Sequence, residues 1–262
     1  MDILLYPFFQ RALLAVGIIS VAVALIGVYI MSRRMVFISG GITHACFGGL
    51  GLGYWLGVSP IAMAAVAAVA GSLGVEWLTA RRRVRSDSAI AVIWAVGMAL
   101  GILFIFMTSG YVPELNSFLF GNVLTVTGSD LWWFAGFTAL LVGVFALFFR
   151  TIVAVSFDPD FATVSGLPVR LVNYAMTVFV AVAIVLTIRL VGIMLLISLL
   201  SLPPMIAETR LRKFSSIIYA SVGIALLGGI GGLFIAYWLN VPASATIVLL
   251  LVLFYIIASL RR

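Results

Sequence analysis

His44 is the residue in this sequence with the clearest capacity for chemistry. It is the only histidine among 262 residues, and it lies at the start of a long apolar stretch. An ionisable side chain in such a stretch is a candidate for function, and neutral imidazole is a common ligand of zinc and other divalent transition metals. A zinc site needs at least three protein ligands, so a second copy of the chain would have to contribute. The alternative is a hydrogen-bonded packing residue near the membrane interface.

Two neighbours of His44 carry weaker donor atoms. Thr43 offers a hydroxyl oxygen, but adjacent residues of a helix face different directions, so we regard it only as a possible secondary ligand. Cys46 is the only cysteine, which excludes an internal disulfide, and we interpret it as a small packing residue.

The eight acidic residues are informative because few of them lie within apolar segments. Glu76 is near one end of an apolar run, and the other seven lie at segment ends or in loops. A charged side chain costs about 2.5–3.5 kcal/mol at the centre of a membrane helix, so carriers driven by protons or sodium keep one only where the mechanism needs it. If this chain moves a solute, we expect the energy to come from another subunit.

Other classes of membrane protein fit these residues less well. A secondary carrier or channel for a divalent cation is the main alternative, although the coupling carboxylate of such a carrier is missing. An intramembrane protease of the HExxH type requires two histidines, and one of the aspartyl type requires two membrane-embedded aspartates. Neither requirement is met, so we expect a chain that is not an enzyme.

The composition requires a membrane environment for these residues. With 65% hydrophobic and 9% charged residues, the chain has too few polar side chains to cover the surface of a soluble globule. We predict an all-α polytopic membrane helical bundle that forms a single domain over residues 1–262. About nine transmembrane helices are expected, at 12–31, 42–58, 61–80, 89–107, 131–149, 171–188, 190–207, 217–239 and 243–260.

The distribution of positive charge predicts the orientation of the spans. A net charge of +7 suggests nucleic-acid binding at first, but the basic residues lie at the ends of the spans, as the positive-inside rule predicts. Placing the N-terminus outside assigns all but two of the 15 Lys and Arg residues to the cytoplasm, the exceptions being Arg11 and Arg189. We therefore expect an outer N-terminus, a cytoplasmic C-terminus and no nucleic-acid partner.

A short helix is predicted in the cytoplasmic loop between Arg150 and Arg170. Asp158 is a good N-cap, Pro159 suits the first helical position, Asp160 favours the positive end of the helix, and Gly166 is a stop signal. A helix of about two turns is marginal in water and must be held by packing. It either lies on its own bundle or docks to a cytoplasmic partner.

The loop at 108–129, on the outer side, contains the apolar stretch LNSFLFGNVL. This stretch is too short to span a membrane and too apolar for a fully solvated loop. A helix or re-entrant turn at the mouth of a cavity, acting as an outer gate, is one interpretation. An interfacial helix with no moving role is equally compatible with the sequence.

Proline and glycine are concentrated in particular spans. Pro203 and Pro204 must disrupt backbone hydrogen bonds in the seventh span, and such breaks occur at membrane depth only in protein or beside a wet cavity. We therefore predict a broken helix that lines a pathway. Close helix packing is the default explanation for the glycines of the second and eighth spans, which are Gly48, Gly49, Gly51, Gly53, Gly57, Gly223, Gly228, Gly229, Gly231 and Gly232.

Four separated motifs resemble those of the permease subunits of zinc, manganese and iron ABC importers. The resemblance covers nearly the whole chain, and the motifs occur in the order in which that family has them. They are RRMVFISGGITHACFGGLGLG, FLFGNVLTVTGSDL, FDPDFATVSGLPV and VGIMLLISLLSLPPMIA. The third is similar to the family's cytoplasmic coupling helix, and the fourth to a proline-containing transmembrane helix.

The resemblance implies a type II ABC importer permease fold, similar to that of vitamin B12 importers, in a bacterial plasma membrane. It implies two permease copies, a homodimer in the simplest case, with cytoplasmic ATPases that bind the ATP and an extracytoplasmic metal-binding protein. The metal is cargo, and the chain itself binds no cofactor. The ATPase-coupling residues would be Asp158, Pro159, Asp160, Ala162 and Gly166, and the outer gate would contain Phe118, Phe120 and Gly121.

One position departs from the family pattern. The family has an acidic residue four positions before the histidine, on the same helix face, and this residue is Gly40 here. His44 thus matches the pattern of the metal pathway while its usual partner does not.

Overall fold

The computed structural model describes residues 5–82, 84–109, 121 and 126–260. The regular elements in these ranges are helices, as the long apolar runs predict. They are α1 (Pro7–Ser32), α2 (Ile38–Leu56), α3 (Pro60–Arg82), α4 (Ser86–Met107), α5 (Gly128–Phe157), α6 (Pro159–Val164), α7 (Val169–Glu208), α8 (Phe214–Leu239) and α9 (Ala243–Leu260).

Eight helical segments of the described ranges are long and apolar enough to cross a membrane. They are α1, α3, α4, α5, α8, α9 and two parts of α7, Val169–Arg189 and Val191–Glu208. The remaining predicted span, 42–58, coincides with α2, which has 19 residues. Glycines and polar side chains lower the mean hydropathy of α2. This helix is therefore not among the eight segments that are apolar enough to cross a membrane.

The chain forms two compact units. One contains α1, α5 as far as Val153, the part of α7 from Thr187 onward, α8 and α9. The other contains α2, α3, α4, α6 and the part of α7 up to Leu186. The polypeptide alternates between the units, so neither corresponds to one continuous stretch of sequence.

In the second of these units, glycines bring α2 into backbone contact with α4. A Cβ atom added at Gly48 would lie 2.9 Å from the carbonyl oxygen of Gly97, and one at Gly51 would lie 2.6 Å from that of Gly101. Only glycine allows two helices to approach this closely. Residue numbers rise together along the two helices, so α2 and α4 run parallel, as expected for two spans separated by a third.

The other face of α2 packs against α3. Gly49 faces Met63 and Ala64, and a Cβ atom at Gly53 would lie 2.6 Å from the Cα of Pro60. Close packing is therefore confirmed for these glycines. Gly57 differs, because it caps the end of α2 with φ of 68° and has open space around it.

In the first unit, α8 packs against both α1 and α9 through its glycines. Gly229 faces Val16 of α1, and a Cβ atom added at Gly232 would lie 2.7 Å from the Cα of Ile247 in α9. The predicted packing role holds for this part of α8. Gly223 has open space at the position of an added Cβ atom, so that glycine is not explained by packing.

The break in α7 is at a different residue from the one that the sequence predicts. The helix continues through Pro203 and Pro204 to Glu208, and its non-helical residue is Gly192, with φ of 75° and ψ of 173°. This backbone conformation is essentially restricted to glycine. The prolines were expected to break the helix, but the tertiary packing around them holds the backbone helical.

The prolines still affect how α7 packs. Pro204 has no backbone N–H, so the carbonyl of Leu200, four residues earlier, lacks its usual helical donor. That carbonyl lies against Gly27 of α1, and a Cβ atom at Gly27 would also come 3.0 Å from the Cγ of Pro204. Both prolines are buried. Gly27 therefore provides the space in which α1 accommodates the proline-containing part of α7.

Candidate functional site

The predicted start of the short helix α6 is confirmed. The Asp158 carboxylate accepts a hydrogen bond from the backbone N–H of Phe161 at 2.9 Å. Pro159 occupies the first helical turn, which also contains Asp160. A carboxylate acceptor and a negative charge at the N-terminus stabilise this end of the helix against the unpaired amides and the helix dipole.

The end of α6 is equally well defined. Gly166 has φ of 76°, and its N–H donates to the carbonyl of Thr163 at 3.1 Å. The N–H of Leu167 donates to the carbonyl of Ala162 at 3.0 Å. These two bonds form a Schellman motif, in which a left-handed residue, usually glycine, ends the helix. The sequence predicted this stop correctly at Gly166.

The side chains of α6 divide between a buried and an exposed face. Ala162 is completely buried, whereas Phe161 is 65% exposed and Val164 is 89% exposed. These two residues are three positions apart, so they share one side of the helix. Ala162 was predicted from the sequence as a residue of this helix, whereas Phe161 and Val164 were not. The signal for them was an apolar pair on a short helix bounded by polar caps.

At the predicted outer end, Gly121 lies against the break in α7. Its φ is 57°, and a Cβ atom there would overlap the backbone of Val191 and Gly192. Gly121 therefore contacts α7 at Gly192, the residue of that helix with non-helical torsion angles. Phe118 and Phe120, the other predicted gate residues, lie outside the described residues.

Asp130 connects the start of α5 to α7. One carboxylate oxygen accepts hydrogen bonds from the Thr127 hydroxyl at 2.6 Å and the Thr127 backbone N–H at 3.1 Å. The other oxygen lies 3.0 Å from the Arg189 guanidinium. Arg189 is one of the two basic residues that the charge distribution predicted outside the cytoplasm, and the Asp130 carboxylate compensates its charge.

His44 lies between two side chains of α4. Its Nδ1 atom is 3.0 Å from the Sδ of Met98, and its ring stacks on Trp94 with centroids 4.3 Å apart and an interplanar angle of 20°. His44 and Met98 are both half-buried. Neither Trp94 nor Met98 could be selected from the sequence, because their partner is on another helix.

Thr43 has a different environment from His44. Its side chain is completely buried, and its hydroxyl donates a hydrogen bond to the carbonyl of Ser39 at 2.6 Å. The structure therefore gives Thr43 a place in the packing of α2.

The ring of Trp94 also lies beside Gly40. A Cβ atom added at Gly40 would lie 3.1 Å from Cζ3 of the Trp94 ring. An aspartate at this position would require the ring to shift. Among the described residues, no three His, Cys, Asp or Glu side chains are grouped closely enough to hold a metal ion.

A polar cluster joins three segments of the unit that contains α6. Arg33 follows α1, and its guanidinium donates a hydrogen bond to the side-chain oxygen of Asn173 in α7. A second guanidinium nitrogen lies 3.8 Å from the carboxylate of Glu76 in α3. The side chains of Arg33 and Glu76 are 12% and 5% exposed, so Glu76 is buried with its charge compensated.

We expect Arg33→Met to destabilise the protein by about 3–5 kcal/mol, because it leaves the Glu76 carboxylate buried without a cation. Adding Glu76→Gln should recover much of this loss. Thermal unfolding of the purified variants measures both effects. Arg85→Met is the matched control, since Arg85 lies 3.8 Å from Asp87 in an exposed pair and should matter little. Equal stability of Arg33→Met and Arg85→Met would contradict this assignment.

The fold and these features define a class of protein. The described residues contain eight helical segments able to span a bilayer and, between two of them, a capped short helix with an exposed apolar face, which is the arrangement of a multi-pass membrane protein. The chain belongs to the ABC 3 transport family, whose family model matches residues 5–262.

Individual relatives and structures agree with this membership. The chain is 38% identical to a probable metal transport system membrane protein of Chlamydia pneumoniae, over 97% of this chain and 87% of that protein. It is 30% identical to the manganese transport system membrane protein MntC of Listeria innocua, over 97% of this chain and 91% of that protein. The solved structure of PsaBC from Streptococcus pneumoniae in complex with Fab is similar, with a TM-score of 0.84, 27% identity and coverage of 98% and 92%.

Proposed function

We propose that this chain is the permease subunit of an ATP-driven importer of divalent transition-metal ions such as zinc, manganese or iron. The observation that carries the proposal is α6, a short helix fixed at both ends that exposes Phe161 and Val164. Exposed apolar side chains on a helix outside the spans fit a protein partner better than solvent. The partner is a cytoplasmic ATPase, and the names of the two metal-transport relatives support a metal as cargo.

In this proposal, α6 transmits the movement of the ATPase to the bundle. Asp158, Pro159, Asp160 and Gly166 fix the helix, while Ala162 anchors it by burial. Helix α7 follows α6 directly, and Asn173 in its second turn is hydrogen-bonded to Arg33, which also contacts Glu76. A displacement of α6 would therefore move the start of α7 and, through Arg33, the segment that leads into α2.

The remaining predicted residues have roles along the pathway. His44 is the metal-pathway residue on α2, and Pro203 and Pro204 shape the part of α7 that lines the path. The outer gate contains Phe118, Phe120 and Gly121. Its contact with α7 is the one between Gly121 and Gly192. Thr43 is at most a secondary contributor, since its hydroxyl is bonded to the Ser39 carbonyl.

The whole chain works as one permease domain. In support of this, the polypeptide passes between its two compact units several times. We further propose a homodimer in a bacterial plasma membrane, with the N-terminus outside and the C-terminus in the cytoplasm. An extracytoplasmic metal-binding protein delivers the ion. ATP is bound by the partner subunit, and this chain performs no catalysis.

Metal uptake by vesicles containing the permease, its ATPase and its binding protein tests the function. We expect ATP-dependent accumulation of at least one of zinc, manganese and ferrous iron. An ATPase variant that cannot hydrolyse ATP is the control and should abolish uptake. The proposal fails if none of these ions accumulates although the complex is assembled and hydrolyses ATP.

A further inference from the structure

We propose that the turn joining α3 to α4 binds the phosphate of an anionic phospholipid headgroup, through the guanidinium groups of Arg81, Arg82 and Arg85. The sequence there reads RRRVR at 81–85. A cluster of four or more basic residues next to a membrane span is typical of sites for anionic lipids. The inference goes beyond metal transport and does not depend on which ion the chain carries.

The two helices place these arginines at one surface of the membrane. Helix α3 ends at Arg82 and α4 begins at Ser86, and both are long and apolar enough to cross a bilayer. The connecting residues 83–85 reach at most about 11 Å when fully extended, so the turn stays close to the headgroups. Arg81, Arg82 and Arg85 are all exposed there.

The side chain of Arg82 folds back along α3, toward the membrane. Its guanidinium carbon lies 5.3 Å from the centroid of the Trp77 ring. Trp77 is 41% exposed and lies about 7.5 Å from Arg82 along the helix axis. Since tryptophan side chains prefer the headgroup level of a membrane, this contact holds the guanidinium at the depth where lipid phosphates lie. The positive-inside rule requires the charge of Arg82 but not this position.

The charges of the two helices do not explain the whole cluster. Arg81 and Arg82 are in the last turn of α3, where the helix dipole favours a cation. Arg85 precedes α4, at the positive end of a helix dipole, where a cation is unfavourable. Its carboxylate neighbour, Asp87, is 3.8 Å away in an exposed pair that contributes little. An external anion would offset the positive charge that remains.

The chemistry of arginine selects a phosphate as that anion. A guanidinium group stacks on an aromatic ring with its face and donates paired hydrogen bonds to phosphate oxygens with its edge. Arg82 can therefore contact Trp77 and a lipid phosphate at the same time. Phosphatidylglycerol has an uncompensated phosphate, whereas phosphatidylcholine carries its own cation. We expect the site to prefer phosphatidylglycerol.

Native mass spectrometry of the purified permease in micelles, with the two lipids in competition, tests this site. We expect Arg82→Gln to weaken phosphatidylglycerol binding about fivefold, because each arginine near a surface contributes about 1 kcal/mol, and Arg81→Gln/Arg82→Gln/Arg85→Gln to weaken it on the order of a hundredfold. Arg150→Gln is the matched control, since Arg150 is exposed and is the only basic residue of α5. It should leave the lipid preference unchanged.

Two further variants separate a built site from general charge attraction. Trp77→Leu should weaken phosphatidylglycerol binding, because the Arg82 guanidinium loses the ring that positions it. Arg82→Lys should restore only part of the binding, since an ammonium group lacks the planar fork. Full binding by Arg82→Lys and Trp77→Leu would contradict the site.

The triple arginine variant provides the decisive comparison. Its three substitutions are at exposed positions, so thermal unfolding should show an intact fold. The inference is overturned if this variant and Arg150→Gln bind phosphatidylglycerol equally well. It is also overturned if the variant keeps its lipid preference but no longer co-purifies with the ATPase, because the turn would then be a contact for the protein partner.

Discussion

The double variant Phe161→Ala/Val164→Ala is expected to release the ATPase from the permease. The two side chains are 65% and 89% exposed on one side of α6, where the proposed partner would cover them. Central apolar contacts of an interface cost about 2 kcal/mol or more each when truncated. Losing two such contacts would weaken association on the order of a hundred- to a thousandfold. Transport should be lost with it.

Co-purification of the complex, followed by a binding titration, measures this effect. Phe106→Ala is the matched control, because Phe106 is 87% exposed at the end of α4, in the same compact unit as α6. The control should bind the ATPase normally. Since Phe161 and Val164 are exposed, their truncation should leave folding intact. Unchanged ATPase affinity in the double variant would remove α6 as the docking element.

Gly192→Ala is expected to produce the second large effect, the loss of metal uptake. Gly192 has φ of 75° and ψ of 173°, and a side chain in such a region of backbone space costs about 1–3 kcal/mol. Gly121 contacts this residue directly, so a change in the backbone at Gly192 would also displace the proposed outer gate. A free-energy difference of this size shifts the equilibrium between two conformations by about 5- to 150-fold.

Uptake assays on the assembled complex measure the effect of Gly192→Ala. Gly143→Ala is the control, since Gly143 lies within α5 and has open space at the position of an added Cβ atom. Thermal unfolding of both variants separates a folding defect from a gating defect. Normal uptake by Gly192→Ala would show that the conformation at this residue has no part in transport.

Features set by short-range interactions could be predicted from the sequence. The two ends of α6 depend on Asp158, Pro159 and Gly166, which act on amides and carbonyls only a few residues away. Local chemistry was sufficient there because the interacting groups are neighbours in the chain. The predicted end of the fifth span at 149 is different, since α5 continues to Phe157 with a single non-helical residue, Phe148.

Features set by contacts between helices could not be predicted. The break in α7 was expected at Pro203 and Pro204, yet it occurs at Gly192, where the Gly121 backbone contacts α7. Glycine is less disruptive than proline in isolation, so only the tertiary contact distinguishes the two positions. Likewise, Met98 and Trp94 approach His44 because glycines set the register of α2 on α4, and no spacing within either segment indicates that register.

The central claim is that a partner ATPase supplies the energy for transport. Metal accumulation by vesicles containing the permease alone tests this claim most directly. The buried Glu76 carboxylate lies 3.8 Å from the Arg33 guanidinium, which compensates its charge. We predict no accumulation by the permease alone under an imposed proton gradient, and accumulation once the ATPase and ATP are added. Concentrative uptake by the permease alone, abolished by a protonophore, would contradict the account and identify the chain as a secondary carrier.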